Sequence, residues 1–576
     1  MQGWAMVMML VSLLSLRAAS AELSLLTPDP CADDLVTWEV TGALPAWQGF
    51  DVSKAPVLHI TSPSGKIWIR SAFLDQAFTK APAGPDGSPE YAAAGERSLH
   101  VRHTPRVPGV HQWVLKDPTG ADLARGQLAV KPSRGPYPVG MLQISKDNPR
   151  LLAFRDGTIF IPIGPNVCWA NGPDRLVNFE RYLSRLADAG GNHIRLWCAS
   201  WCGQIEGDEP DSYRLDQAWV LDRILAMARA KKLRVTVCLD NFHDLGHGKK
   251  FPYGATYTAR LSGFMAPTPP AQYERRLRYV LARWGADDTI ASWELFNEID
   301  LAQPVRDDTV AWVQGAAALL ARLDADNRLR TVSWHGDDWD SVVGLPNLDL
   351  VQIHSYVLEW VDPLGLRKMV TRDGVGMLLN NAERANASGH PFCFSEVGYQ
   401  GTNEKNPGHA LDTGGLLLRQ QAWSGFLLGG YGSGMNWWWD VYLDTANLWG
   451  SYRGMAKILP QLDWRDREMS PLTPNVDSAL RIVGWQSPRQ ALFWPQLRAD
   501  TWYNALMDQK PRPQLKKVVQ IRLGGMRASH HFAVHYLDLI TGDEREKREA
   551  ISTAQGVLEV SVVPPDVDTV LWIDGR

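Results

Sequence analysis

The stretch IPIGPNVCWANGPDRLVNFERYLSRLADAGGNHIRLW, residues 161–197, decides the fold. It opens on one apolar run, Ile161-Pro162-Ile163-Gly164, and closes on another, Asn192 to Trp197. Between them the spacing predicts a helix from Asp174 to Ala189. Leu176, Phe179, Leu183 and Leu186 share one face of it, and Gly190-Gly191 ends it. A strand, an amphipathic helix and a second strand make the unit from which parallel sheets are built.

The alternation continues outward. Helices near Leu215 to Lys231, Pro270 to Trp284 and Asp307 to Leu323 precede apolar runs at Leu233 to Asp240, Ile290 to Glu298 and Leu329 to Trp334. Leu348 to Tyr356, Pro391 to Val397 and Gly434 to Trp439 complete eight strand candidates. Such strands are buried on both faces and need right-handed crossovers. The economical α/β solution is a (β/α)8 TIM barrel over residues 139–475. An open doubly wound sheet is the runner-up, but it wants a Gly-rich phosphate turn after its first strand, and Ile163 to Trp169 (IGPNVCW) is not one.

Residues 22–138 carry short alternating segments such as Lys66-Ile67-Trp68-Ile69 and His111-Gln112-Trp113-Val114, the pattern of an N-terminal β-sandwich. Pro132 to Gly140 reads as the linker that follows. Residues 476–576 read as a C-terminal β-sandwich, with strands at Val518 to Leu523, His531 to Tyr536, Leu558 to Val563 and Thr569 to Ile573. It is expected to support the barrel. The first 21 residues read as a signal peptide. Ala5 to Leu16 is too short to span a bilayer, and Ala19-Ser20-Ala21 offers small residues for cleavage, although no Lys or Arg precedes Arg17. A secreted or periplasmic protein is expected, with an uncleaved anchor as the alternative.

A net charge of −4, with no basic run, argues against nucleic acid or an anionic membrane as partner. The unusual count is 25 Trp against 15 Tyr and 15 Phe. About half are expected in the core; the flat faces of the others suit the apolar faces of sugar rings. The six cysteines show no disulfide framework, so buried free thiols are expected, with a Cys198–Cys202 pair as an open alternative. No His/Cys cluster has metal-ligand spacing, and no cofactor is expected.

In a barrel the active site lies at the carboxyl ends of the strands. Asn166 and Trp169 stand at the end of the first candidate, Arg195 on the second, and Asp240 with His243 at the third. Asn297-Glu298 end the fourth, His354 and Tyr356 the sixth, Glu396 the seventh, and Trp437 to Trp439 the eighth. Glu298 and Glu396 each end a strongly apolar run, where an idle carboxylate would be costly. Asp337, Asp338 and Asp340 are expected in a solvent-facing loop. Trp201, Trp339, Trp360 and Trp449 fall in loops on the same side, and two or more are expected to line sugar subsites.

This ordered set resembles clan A glycoside hydrolases, family 5 in particular. The matches are Arg195, His243, Asn297-Glu298 in WELFNEID, His354-Ser355-Tyr356, Glu396 in FCFSEVG, and Trp437 in MNWWWD, over about residues 150–460. His243 stands one residue further past Asp240 than an Asp-x-His pattern puts it, and Trp437 and Trp439 compete for the stacking role. The resemblance implies a retaining hydrolase of β-linked oligo- or polysaccharide, with Glu298 as acid/base and Glu396 as nucleophile. Arg195 and Tyr356 are expected to keep Glu396 ionised, and Asn297 to bind the sugar 2-hydroxyl. Arg195, Tyr356, Asn166, Trp169, His243, His354, Trp437 and Trp439 are also expected to bind substrate. Endo action on β-glucan or β-mannan leads; an exo-acting glycosidase and a non-catalytic carbohydrate-binding or polysaccharide-export protein are the alternatives.

Overall fold

The computed structural model describes residues 21–575 except 43–48, 85–89, 136–139, 207–211, 247–270, 303–304, 358, 362–367, 401–407, 473–478 and 563–567. The signal-peptide segment and part of the linker therefore lie outside the described residues. Two compact units are present: residues 1–75, 97–134 and 282–284 form one, and residues 76–96, 135–281 and 285–576 the other. Among the described residues no helix is long and apolar enough to cross a membrane.

The first unit holds two antiparallel four-stranded sheets. Val36–Thr41 shows how they form: Val36, Trp38 and Val40 are buried, while Thr37, Glu39 and Thr41 are half-buried between them, the period of two that a pleated strand imposes.

In the second unit the parallel strands His193–Trp197, Arg234–Cys238, Ile290–Glu294 and Leu329–Thr331 pair in that order. Ser333–Trp334, Val351–Val357 and Phe392–Tyr399 make a second parallel set. The Ser333 N–H donates to the Phe296 carbonyl (3.2 Å), which joins the two sets. At the far side Val397 bridges Asn436, Asn166 bridges Arg195, and the Asn166 N–H donates to the Asn436 carbonyl (3.0 Å). Backbone hydrogen bonds thus link the seven strands through Asn436 and Asn166 back to the first. Helices Arg175–Asp188, Leu215–Ala230, Ala271–Trp284 and Arg306–Leu323 lie where the spacing expects them, and Gly374–Ser388 and Leu416–Leu427 are two more.

The first and last strand candidates shrink to single bridges. Pro162 and Pro165 have no N–H to give a ladder. Gly164 is also pressed against its neighbour, so that a Cβ there would stand 2.0 Å from the His193 carbonyl oxygen. After Asn436 the chain leaves the sheet and winds into a helical turn at Trp439–Asp444.

The carboxyl-terminal part forms a six-stranded antiparallel sheet, in the order Ser470–Pro471, Leu480–Gln486, Gln490–Leu497, Thr569–Asp574, His531–Asp538, Glu544–Ile551. Two of these strands, LRIVGWQ and QALFWPQL, escape the alternation rule because they are buried almost throughout. The helix Leu416–Leu427 explains why: every residue of it except Arg419 is buried. Trp485 Nε1 donates to the Phe426 carbonyl (2.8 Å) and its ring stacks on Phe426, while Trp423 Nε1 reaches the Leu539 carbonyl (3.0 Å). Trp502 and Tyr503 pack with Val357, Tyr399 and Leu417.

A chain ending at residue 475 should therefore be insoluble. Returning a large apolar side chain to water costs about 1.5–3 kcal/mol, so uncovering several equals much of a typical net stability of about 5–15 kcal/mol. The soluble fraction of the shortened chain against the full chain checks this.

Candidate active site

Arg195 organises the centre. Its side chain is wholly buried on the His193–Trp197 strand. Nε and Nη2 clasp Glu294 (2.6 and 2.7 Å), and Nη1 donates to Glu396 Oε1 (2.6 Å). Nη2 also reaches Asn297 Oδ1 (2.7 Å) and Nη1 reaches Asn166 Oδ1 (3.2 Å). A guanidinium has five N–H donors, and all five have acceptors within the protein. Arg195, expected at the substrate, has no donor left for one.

Asn166, also expected to meet sugar, is spent in the same way. It is fully buried, and its Nδ2 donates to the Ser395 and Met435 carbonyls (2.9 and 3.1 Å), stitching the ends of the ring together. Asn297 differs: its Oδ1 is held by Arg195, while its buried Nδ2 has no partner among the described residues. A buried amide donor without an acceptor is rare enough to point to a ligand.

Glu396 receives a second hydrogen bond from the Tyr356 hydroxyl, Oη to Oε2 at 2.5 Å. Glu298 sits in left-handed backbone (φ +49°), a conformation that strains a residue with a Cβ. Its N–H donates to Ser333 Oγ (3.0 Å), and its Oε1 lies 2.7 Å from His354 Nδ1. The same Nδ1 is 3.4 Å from Glu396 Oε2. One ligating atom from each of Glu298, His354 and Glu396 falls within 4.8 Å of the others. These are the three groups that could offer atoms to a metal among the described residues, but each already faces one of its fellows, Tyr356 or Arg195.

Burial governs the protonation states. It raises Glu298 to about 7, against the pull of His335 and Arg195 and with help from Asp300 and Glu294. It lowers His354 to about 4, so that the imidazole is neutral at neutral pH. Glu396 is raised too, again by burial, with His354, Arg195 and the Tyr356 hydroxyl pulling the other way.

Aromatic residues wall one side. Trp169 is met edge-on by Trp197, Trp201, Trp437 and Trp439, at centroid distances of 4.7 to 5.5 Å. Trp437 is partly open, whereas Trp439 is 1% exposed and its Nε1 is tied to the Trp169 carbonyl. Of the two, only Trp437 keeps an open face, because the chain turns into a helix at Trp439. His243, half-buried on the short helix Phe242–Gly246, lies beside Trp197 and Trp201. Of the four loop tryptophans, Trp201 joins this wall. Trp339 and Trp449 are buried and bonded to Asn381 and Asp444 instead. The Trp360 side chain lies outside the described residues.

Two neighbours were not singled out from sequence. Glu294 is fully buried at the carboxyl end of the IASWE strand, and Ser333 Oγ donates to its Oε1 (2.8 Å). The available signal was an acid inside an apolar run facing a buried Arg on the adjacent strand but one, since a buried charge needs a partner. All six cysteines are buried free thiols, Cys198 and Cys202 included, and burial pushes Cys198 up to about 12. Along the helix Gly374–Ser388 a polar cavity of about 620 Å³ is lined by Asp337, Arg372, Asp373, Asn380, Asn381 and Arg384 among others. Asn381 Nδ2 donates to Ser355 Oγ (3.1 Å), between His354 and Tyr356.

No family model matches the chain. Mannan endo-1,4-beta-mannosidase A of Podospora anserina is 23% identical over 195 residues, covering 31% of this chain and 50% of that protein. The chain spans about half the length of the curated relatives it matches. A candidate glycoside hydrolase from Bacteroides vulgatus aligns with a TM-score of 0.63 at 14% identity, over 95% of this chain and 99% of that one. A family 5 glycoside hydrolase from the same organism aligns with a TM-score of 0.52 at 14% identity, over 76% and 94% of the two chains. Both likenesses, of sequence and of fold, are to glycoside hydrolases, and they bear out the resemblance to clan A that Arg195, Asn297-Glu298, His354-x-Tyr356 and Glu396 carry.

Proposed function

We propose that the chain is a retaining β-glycoside hydrolase acting within β-linked polysaccharide, β-mannan first among the candidates. The observation that carries the reading is the carboxyl pair, with facing atoms of Glu298 and Glu396 within 4.8 Å. Retaining enzymes hold their carboxyls about 5–5.5 Å apart, and inverting ones leave about 6.5–9.5 Å for a water. Glu396 attacks the anomeric carbon while Glu298 protonates the departing oxygen. Glu298, then ionised, draws a proton from the water that releases the glycosyl group from Glu396. Asn297 Nδ2 meets the 2-hydroxyl, and Trp437 offers its face to the ring. The choice of mannan rests on the named activity of the sequence relatives.

The same reading takes residues 139–475 as a closed (β/α)8 barrel, supported by the ring of backbone hydrogen bonds. It takes residues 22–138 and 476–576 as flanking β-sandwiches and residues 1–21 as an export signal. The test is a panel of plant and microbial β-glycans, with product sizes and anomeric configuration followed and Glu298→Gln and Glu396→Gln as controls. Retained configuration with mixed oligosaccharides from mannan is expected; inverted product, or no cleavage of any glycan, overturns the reading.

A pH dependence follows. The acid/base must be protonated to start the reaction, so kcat/KM should fall as pH rises through about 7, the value at which Glu298 loses its proton. In Glu298→Gln that limb should vanish for a substrate whose leaving group needs no proton.

A further inference from the structure

We propose that Glu294, a third carboxylate that touches no substrate, is a positioning residue for both catalytic carboxyls: it fixes Arg195 against the nucleophile, holds the acid/base backbone through Ser333, and adds negative charge that works with burial to keep the acid/base protonated. The inference rests on the hydrolase reading above.

The geometry runs both ways from this one side chain. Glu294 clasps Arg195 through Nε and Nη2, which aims the remaining nitrogen, Nη1, at Glu396 Oε1. Its Oε1 also accepts from Ser333 Oγ, and that same hydroxyl oxygen receives the Glu298 N–H. One carboxylate therefore holds the guanidinium behind the nucleophile and, through Ser333, the strained backbone of the acid/base.

The charge count gives the second part. The titratable groups that sense Glu294 are Arg195, Cys238, Cys168, Glu298, His354, Cys393 and Tyr431, and Arg195 links it to Glu396. Burial holds the three thiols and Tyr431 protonated and His354 neutral. His335 and Asp300 lie beyond Glu298, where the His335 N–H donates to Asp300. The buried centre is then one cation, Arg195, against Glu294 and Glu396. With that net negative charge, ionising Glu298 adds a second uncompensated anion. Without Glu294 the trio becomes a neutral pair, and both remaining carboxyls ionise more readily.

The test uses the full chain with an aryl β-glycoside, read as kcat/KM against pH, with circular dichroism for the fold. Glu294→Gln removes the charge and keeps the shape. Both limbs of the profile should move to lower pH, by about one unit. Limbs that stay in place in a folded, active Glu294→Gln chain overturn the proposal. If Glu294→Gln does not fold, Glu294→Asp decides: charge kept but reach shortened should leave the limbs near wild type and lower kcat about tenfold, and an unchanged kcat overturns the proposal. Ser333→Ala should lower kcat with KM unmoved. Failure of the hydrolase reading is separate, because it appears as a wild-type chain that cleaves no β-glycoside at all.

Discussion

Glu396→Ala is expected to lower kcat/KM by about four orders of magnitude or more, because in the proposed double displacement Glu396 is the group that forms the covalent bond to the anomeric carbon. Arg195 and Tyr356 already orient its two oxygens at 2.6 and 2.5 Å, so little reorganisation is left for the moment of attack. The loss should fall on kcat, since the carboxylate contributes more to the transition state than to ground-state binding. Azide gives the sharper check. Filling the vacated space, it would attack from the face Glu396 occupied and yield a glycosyl azide of inverted configuration. The same anion added to Glu298→Ala should yield the retained configuration, because there the glycosyl–Glu396 bond forms first. Interchanged outcomes would exchange the roles of the two residues.

Arg195→Met should cost the most stability. Breaking a buried ion pair by removing one partner costs about 3–5 kcal/mol, and here Glu294 and Glu396 both lose the same cation. Glu396, already raised by burial, would rise further without the Arg195 cation, so the native state binds more protons than the unfolded chain. Stability must fall as pH rises through that interval. The variant's urea midpoint should therefore recover as pH is lowered from about 8 to about 5. Arg195→Lys keeps the charge but offers three donors where five are used. It should fold better than Arg195→Met and still lose most activity.

Spacing made the helices legible: Leu176, Phe179, Leu183 and Leu186 define a face, and the helix Arg175–Asp188 follows. The resemblance brought Arg195, Asn297, Glu298, His354, Tyr356 and Glu396 forward, and they do converge. What pattern could not say is how each donor is spent. Arg195 and Asn166 look like sugar-binding residues until their partners are counted, and those partners come from strands far apart in sequence. Glu294 was hidden for the opposite reason, as one acid inside an apolar run. Trp339, Trp439 and Trp449 show the limit of composition, since an indole in a loop or at a strand end can turn inward as readily as outward.

The helix Leu416–Leu427, buried at every residue but Arg419, has a consequence in time. Synthesis runs from the amino end, so this helix, and every residue of the carboxyl pair, leaves the ribosome before the strand Thr569–Asp574, which lies inside the sheet that covers it. During that interval the nascent chain carries a helix whose apolar residues run all round it. Until the last strands arrive it must be shielded by other means, and translation pausing or chaperone supply at that point should govern the yield of folded protein more than any substitution in the site.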